Sequence, residues 1–383
     1  VKTKKKVNSI QDIVDLASAF YGSAVLFAAL EVDLFGQVAA GTLDVKARGM
    51  RLLADACVAL GLLEKKGEAY RNSPPAQMTL LPGAPADLTK AIRYNRDVYG
   101  AWGKLAEFAR TGRPVEKPEI HLGADATRTK AFAAAMFGRA MGIGRGVVPL
   151  LDLPRRDGAR VLDLAGGPGA YAILMCEKFP KLRVTTVDLP AISAEAAEYV
   201  GKAGLSDRIS CRAGDYHTDD FGAEEYDAVT IFGALHQESP EQIAAILKKA
   251  HRALKPGGEI FILDMMTDAT HTAPEFSALF AVNMALTTEN GWVFSDAELK
   301  GWLATAGFAP GPTVAVPPPM PHWLVTAGKR EKRRPAGKLA KSRRISRFSA
   351  GECIRARVPW KRAGTETGLG RCVGCPRGRR WAG

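Results

Sequence analysis

The sequence predicts an α/β protein built on a doubly wound sheet with an α-helical region ahead of it, and three observations carry that expectation. Val161-Leu162-Asp163-Leu164 is an apolar strand that runs into the turn Ala165-Gly166-Gly167-Pro168-Gly169. A second strand, Val184-Thr185-Thr186-Val187, ends in Asp188. Gly214-Asp215-Tyr216 then closes a third. An apolar strand, a glycine turn, a helix and a strand ending in a carboxylate form the first half of a nucleotide-binding sheet. The glycines let the backbone come close to a ligand, and Asp188 stands where it can accept hydrogen bonds from two ribose hydroxyls.

The remaining elements follow in chain order. Over residues 10 to 35, Ile13, Leu16, Ala17 and Phe20, then Val25, Leu26, Ala29 and Leu30, recur at helical spacing. Arg51 to Leu63 repeats the pattern, and Ala69-Tyr70-Arg71 after Lys65-Lys66-Gly67 reads as a short hairpin strand. Asp87 to Arg110 and Lys130 to Val148 are expected helices, with a loop over 112 to 123, and Leu153 to Gly158 is the expected boundary before the sheet. Tyr226 to Ile231 is a fourth strand; Leu254-Lys255-Pro256-Gly257-Gly258 turns into Glu259–Asp264; His322 to Thr326 is the last strand.

The net charge of +13 over 383 residues suggests nucleic acid until it is located. Lys329 to Gly383 carry 18 Lys and Arg against Glu331, Glu352 and Glu366, which leaves the rest of the chain at −2. The folded part therefore has no basic excess to steer it to phosphate. The tail has almost no apolar clustering, too little to offset chain entropy, and is expected to be solvated. Cys57, Cys176 and Cys211 lie scattered in apolar contexts and read as reduced thiols of a cytoplasmic protein. Cys353, Cys372 and Cys375 lie in a tail without histidine, so no metal site is expected. The charge-free run Leu16 to Leu30 is read as too short to span a bilayer.

The glycine turn is not Gly-x-Gly-x-x-Gly, and Asp163 puts a carboxylate inside the strand end. That suits a cationic cofactor without a pyrophosphate better than NAD. The ordered set of landmarks over residues 10 to 328 resembles the class I S-adenosylmethionine-dependent methyltransferases. Within them it is most similar to small-molecule O-methyltransferases of the plant caffeate and bacterial polyketide type. The resemblance implies a seven-stranded methyltransferase sheet, a winged-helix dimerisation domain over 1–150, a catalytic domain over 151–328 and a basic tail over 329–383. It implies a homodimer, S-adenosyl-L-methionine as cofactor and a small hydroxylated acceptor of aromatic, polyketide or isoprenoid type. Gly166, Gly167 and Gly169 would pass under the methionyl and ribose portion. Asp188 would take the ribose diol and Asp215 the adenine amino group, with Tyr216 and Leu189 beside the ring. Phe232 stands where plant members often have a lysine. Between Gln37 and Gly49 the chain is shorter than the family pattern by roughly one helix. A winged helix also admits DNA, but the candidate recognition helix (Leu52, Leu53, Ala54, Ala56, Val58, Leu60) is apolar and is expected to be buried.

Methyl transfer requires an acceptor hydroxyl held in line and deprotonated. The candidate base is His236, in the loop after the fourth strand. Ser239-Pro240-Glu241-Gln242 behind it is a helix start with serine as N-cap and glutamine three residues on, so the histidine lies at the carboxyl edge of the sheet. Family members place their catalytic histidine here before an Asp-Trp pair; this chain has Gln237-Glu238. Asp264, 28 residues on, matches the acid that orients that histidine, and the family's second acid falls near Val293, leaving Glu289 as a substitute. His121, His217, His251, His271 and His322 have no motif around them and read as surface or structural. Met136, Phe137 and Met141, with Phe276, Phe280, Asn283, Met284 and Trp292, are candidates to line an acceptor pocket, against the alternative that they are core. Two other functions are carried forward: a cofactor-binding relative without methyl transfer, and an RNA-modifying enzyme using the tail. The absence of an Asp/Asn-Pro-Pro-Tyr/Phe motif and of a Pro-Cys nucleophile counts against the second.

Overall fold

A computed structural model describes residues 7–117, 122–154, 156–317 and 321–330. The tail with its three cysteines and His121 lie outside the described residues. Seven strands form the central sheet: β3 (Arg160–Leu164), β4 (Arg183–Asp188), β5 (Ile209–Ala213), β6 (Tyr226–Phe232), β7 (Leu254–Asp264), β8 (Phe308–Ala315) and β9 (Trp323–Lys329). Their order is β5-β4-β3-β6-β7-β9-β8, parallel throughout except for β9, which runs against both neighbours. The order reverses between β3 and β6, so the crevice for a ligand opens at their carboxyl ends.

Alternation along the strands divides the core into two faces. Val161, Val184, Phe261 and Leu324 face one way, toward Ile173 and Cys176 of α9 (Ala170–Lys178). Leu162, Val229, Ile260 and Ile262 face the other, toward Ile243 and Leu247 of α11 (Pro240–Ala253) and Leu299 of α13 (Asp296–Thr305). The last strand outruns its expected end at Thr326, because Lys329 pairs with Phe308 and its ammonium donates to the Leu254 carbonyl.

Ahead of the sheet the chain is helical. The run over 10 to 35 is α1 (Ile10–Ser18), α2 (Phe20–Glu31) and the start of α3 (Leu34–Ala40). Ser9 caps α1 by accepting the Asp12 N–H. The short α3 went unread in the sequence although Leu34, Phe35 and Val38 are all buried. Next come α4 (Arg48–Ala59), an antiparallel hairpin of β1 (Leu63–Lys66) and β2 (Ala69–Asn72), and α5 (Pro74–Thr79). The expectation that the candidate recognition helix is buried is corrected: Leu52 is 50% and Leu60 49% exposed. Ala54 and Cys57, three apart on one side of α4, are fully buried, and Leu53 and Val58 of the same set pack half-buried against that core. Within Ile10–Glu31 an 18-residue window reaches a mean hydropathy of 1.8, so that stretch is, by length and composition alone, apolar enough to cross a membrane.

The single helix expected over Asp87 to Arg110 is two, α6 (Thr89–Trp102) and α7 (Leu105–Thr111), parted at Gly103. The long α8 (Ala126–Val147) begins earlier than expected because Asp125 caps it, accepting the Arg128 N–H. Two further helices, α10 (Pro190–Lys202) and α12 (Glu275–Thr287), flank the ligand crevice.

Candidate active site

The cofactor half of the site is made by backbone. Beyond β3, Ala165 has φ 53°, a conformation costly for a residue with a side chain, and Gly167 and Gly169 follow at 56° and 79°. A Cβ on Gly166 would stand 1.8 Å from Thr186 Oγ1 and 2.6 Å from Asp163 Oδ2, so only glycine fits above β4. Asp188 accepts the Gly167 N–H at 2.8 Å through Oδ2 and the Leu189 N–H at 2.8 Å through Oδ1. Burial pushes its carboxyl up to about 6, against those two hydrogen bonds. Asp163 accepts the Thr230 hydroxyl at 2.6 Å, while its Oδ2 and Thr186 Oγ1 are buried with no partner. Burial, with the Asp188 charge adding to it, pushes Asp163 up to about 7.

These groups fit S-adenosylmethionine: two carboxylates with spare lone pairs, a glycine turn that admits a close ligand, and apolar side chains of Leu164, Ala165, Tyr216, Ile231, Ala234 and Leu235 gathered beside them. Tyr216 donates to Glu238 Oε1 at 2.6 Å. Asp215 is half-buried at the rim and accepts the His217 N–H, and Leu189 starts α10 beside Asp188. Phe232 makes an edge contact with the Tyr171 ring at 4.9 Å. Thr186, Thr230 and Glu238 were missed in the sequence. Glu238 is buried, faces His217 Nε2 at 3.3 Å, and its carbonyl accepts the Trp292 indole N–H at 3.0 Å. Of the other histidines, His251 and His322 have protein contacts and His271 faces Glu298.

The acid–base half lies across the crevice. The capping box of α11 is complete: Ser239 accepts the Gln242 N–H and Gln242 the Ser239 N–H. This fixes the turn Leu235–Gln237 that carries His236. His236 is 7% exposed, and its Nδ1 lies 2.6 Å from Asp264 Oδ1. Asp264 is 1% exposed and also accepts the His236 backbone N–H at 3.3 Å and the Met265 N–H at 2.8 Å. With Nδ1–H donated to a carboxylate, Nε2 holds the free lone pair a general base needs. Glu289 is exposed, and Val293 is buried among Met265, Phe280 and Met284. Glu289 therefore does not join the pair, because α12 ends before it and points it to solvent.

The acceptor residues divide. Phe280 meets the His236 ring edge to face at 5.2 Å, Met284 packs in the same cluster, and Asn283 accepts the Trp102 indole N–H at 2.8 Å. Met136 is half-buried on α8. Phe137 is corrected: it stacks on Tyr199 of α10 at 4.0 Å and packs against the sheet core, as does Met141. Trp292 likewise packs on Trp302 and Phe294, its N–H groups holding the His236 loop in place.

Residues 118–309 match the O-methyltransferase domain family. The chain is 33% identical over 322 residues to the tetracenomycin polyketide synthesis 8-O-methyl transferase of Streptomyces glaucescens, covering 80% of this chain and 94% of that protein. It is 31% identical over 333 residues to the 3-hydroxy-5-methyl-1-naphthoate 3-O-methyltransferase of Streptomyces sahachiroi, covering 83% and 94%. Its fold matches that of human N-acetylserotonin methyltransferase in complex with S-adenosylmethionine at a TM-score of 0.73 and 26% identity, covering 85% and 99%. The glycine turn with Asp188, the His236 loop at the sheet's carboxyl edge and these similarities agree: the chain belongs to the S-adenosylmethionine-dependent O-methyltransferases.

Proposed function

We propose that this enzyme methylates a hydroxyl of a small, largely apolar aromatic or polyketide molecule, with His236 as general base oriented by Asp264. The observation that carries this reading is the buried Nδ1–carboxylate contact at 2.6 Å, which leaves Nε2 as the proton acceptor. The cofactor supplies a methyl group on a sulfonium. His236 Nε2 takes the acceptor's hydroxyl proton, Asp264 stabilises the imidazolium that results, and Phe280 of α12 packs an apolar ring beside the imidazole. Asp188, Asp215 and Tyr216 would hold the ribose and adenine, and Asp163 lies beneath the glycine turn. The acceptor class is supported by the apolar lining and by relatives named for polyketide and naphthoate acceptors. Methylation of a panel of phenols and hydroxynaphthalenes by wild type tests it. Product only on amines or RNA contradicts it.

The same reading takes the protein as a cytoplasmic homodimer, with the chain divided near residue 150 into a dimerisation part and a catalytic part. Support comes from α1 and α2, which expose Ile10 (83%), Ile13, Val14, Leu16, Phe20 and Tyr21 as one apolar face. The rear of α2 packs Val25, Leu26 and Leu30 against the core of α3 and α4, so a second copy, rather than a bilayer, is the occupant assigned to the open face. Ile13→Asp combined with Leu16→Asp is expected to give a monomer in sedimentation. A wild type that already sediments as a monomer contradicts the assignment.

A further inference from the structure

Beside the candidate acceptor residues Met136 and Phe280 stands a cation that the proposed chemistry does not use. Arg139 lies on α8 one turn beyond Met136 and two beyond Phe132, so the three share a face. Phe132 packs against Tyr94, and the Arg139 guanidinium carbon stands 5.8 Å from the Phe280 ring centre. That ring meets the His236 imidazole at 5.2 Å, so guanidinium and imidazole lie within about 11 Å of each other. Two fused aromatic rings with their substituents bridge such a gap.

Among the described residues nothing neutralises this charge. Among the described residues no carboxylate lies within ion-pair distance of Arg139. Glu116 acts on Tyr94 from a segment tied to the Leu286 carbonyl, and does not pair with the guanidinium. Asp264 is committed to His236 and Met265. The Tyr94 and Tyr171 phenols feel the Arg139 charge, yet burial raises both, so they stay protonated and are no counter-ions. A half-buried guanidinium beside an aromatic wall has lost part of its hydration. Its planar fork matches an oxyanion with two oxygens.

Resting on the O-methyltransferase reading of the His236 site, we propose that Arg139 is the anion-recognition residue of the acceptor chamber. The acceptor carries a carboxylate, or an equally acidic ring oxygen, across the Phe280 ring from the hydroxyl that His236 deprotonates. Arg139 touches the acceptor but not the reacting atoms, and so sets specificity.

The test uses a hydroxynaphthoate and the naphthol that lacks only its carboxylate. Both are titrated by calorimetry into wild type, Arg139→Gln and Arg139→Lys saturated with S-adenosylhomocysteine, with a thermal melt showing that each variant is folded. Wild type is expected to favour the naphthoate about tenfold to a hundredfold. Arg139→Gln removes that preference by weakening the naphthoate alone, and Arg139→Lys keeps part of it. Equal wild-type affinity for both probes, no measurable naphthoate binding, or a Gln variant that weakens both alike would overturn the proposal. Methylation of both probes is followed in parallel. Arg139-dependent naphthoate binding with no methyl transfer to any probe supports the anion site while sinking the methyl-transfer reading beneath it.

Discussion

The two halves of the active-site crevice are built by different means. The cofactor half comes from the ends of β3, β4 and β5, within one continuous stretch from Asp163 to Tyr216, and most of its geometry is backbone: a positive-φ turn, two N–H groups on Asp188, a glycine with no room for a Cβ. The proposed acceptor half gathers Tyr94, Trp102, Met136 and Asn283 from three helices far apart in sequence, and its geometry is side-chain packing. A backbone cradle has few sequences that can make it. A packed wall has many, and the proposed function places acceptor choice in that freedom.

If the halves are separable, their variants should fail differently. The largest effect is expected at the base: His236→Ala lowers turnover by roughly 10²–10⁴ while cofactor affinity stays within a few-fold. Saturated kinetics alongside calorimetry check both numbers. Asp188→Ala comes next, leaving ribose hydroxyls unpaired at a cost of about 1.5–3 kcal/mol in cofactor binding. An unchanged dissociation constant would remove Asp188 from the cofactor site.

A subtler effect sharpens the contrast through pH. Burial places Asp163 at about 7 and Asp188 at about 6, above the ordinary carboxylate value. Between those values and about 4 the folded protein without cofactor retains protons that the unfolded chain has released, so these two groups make stability fall as pH rises through that window. Asp163→Asn removes one of them. It is expected to gain melting temperature on wild type between pH 5 and pH 8 without cofactor, yet to bind the cofactor more weakly. Parallel pH slopes for the two proteins would contradict the burial argument. The smallest effect is expected at the end of the chain. Truncation after Arg330 keeps the whole of β9 and should leave folding and methylation unchanged, whereas truncation after Gly328 removes the Lys329 contact to Leu254.

The placement of many candidate site residues was legible before the structure. Asp163, the glycine turn, Asp188 and Asp215 stand at strand ends, where the period-2 pattern and glycine conformational freedom mark them. The place of His236 was legible because Ser239, Pro240 and Gln242 spell a helix start behind it, whereas its role as base came from the family resemblance. Phe137 was not: one residue of helix rotation carries it about 100° away from Met136 onto Tyr199, and a sequence stripe of methionine and aromatics does not show which side meets the crevice. Leu52 and Leu60 misled in the same way, since apolar composition does not say which face of α4 finds a partner. The short α3 and the break at Gly103 fell below the length at which periodicity is readable. Glu238 was seen as a departure from the family pattern, but its grip on Tyr216 joins two loops 22 residues apart, a relation that only the fold creates.

The most direct test of the central claim, that base and cofactor cradle are separable halves of one methyltransferase site, measures cofactor affinity and saturated turnover in His236→Ala, Asp188→Ala and the double variant. The account predicts that the double variant shows the affinity of Asp188→Ala and the turnover of His236→Ala, the two effects combining independently. Wild-type turnover in His236→Ala at saturating cofactor, or a loss of cofactor affinity there as large as in Asp188→Ala, would contradict it.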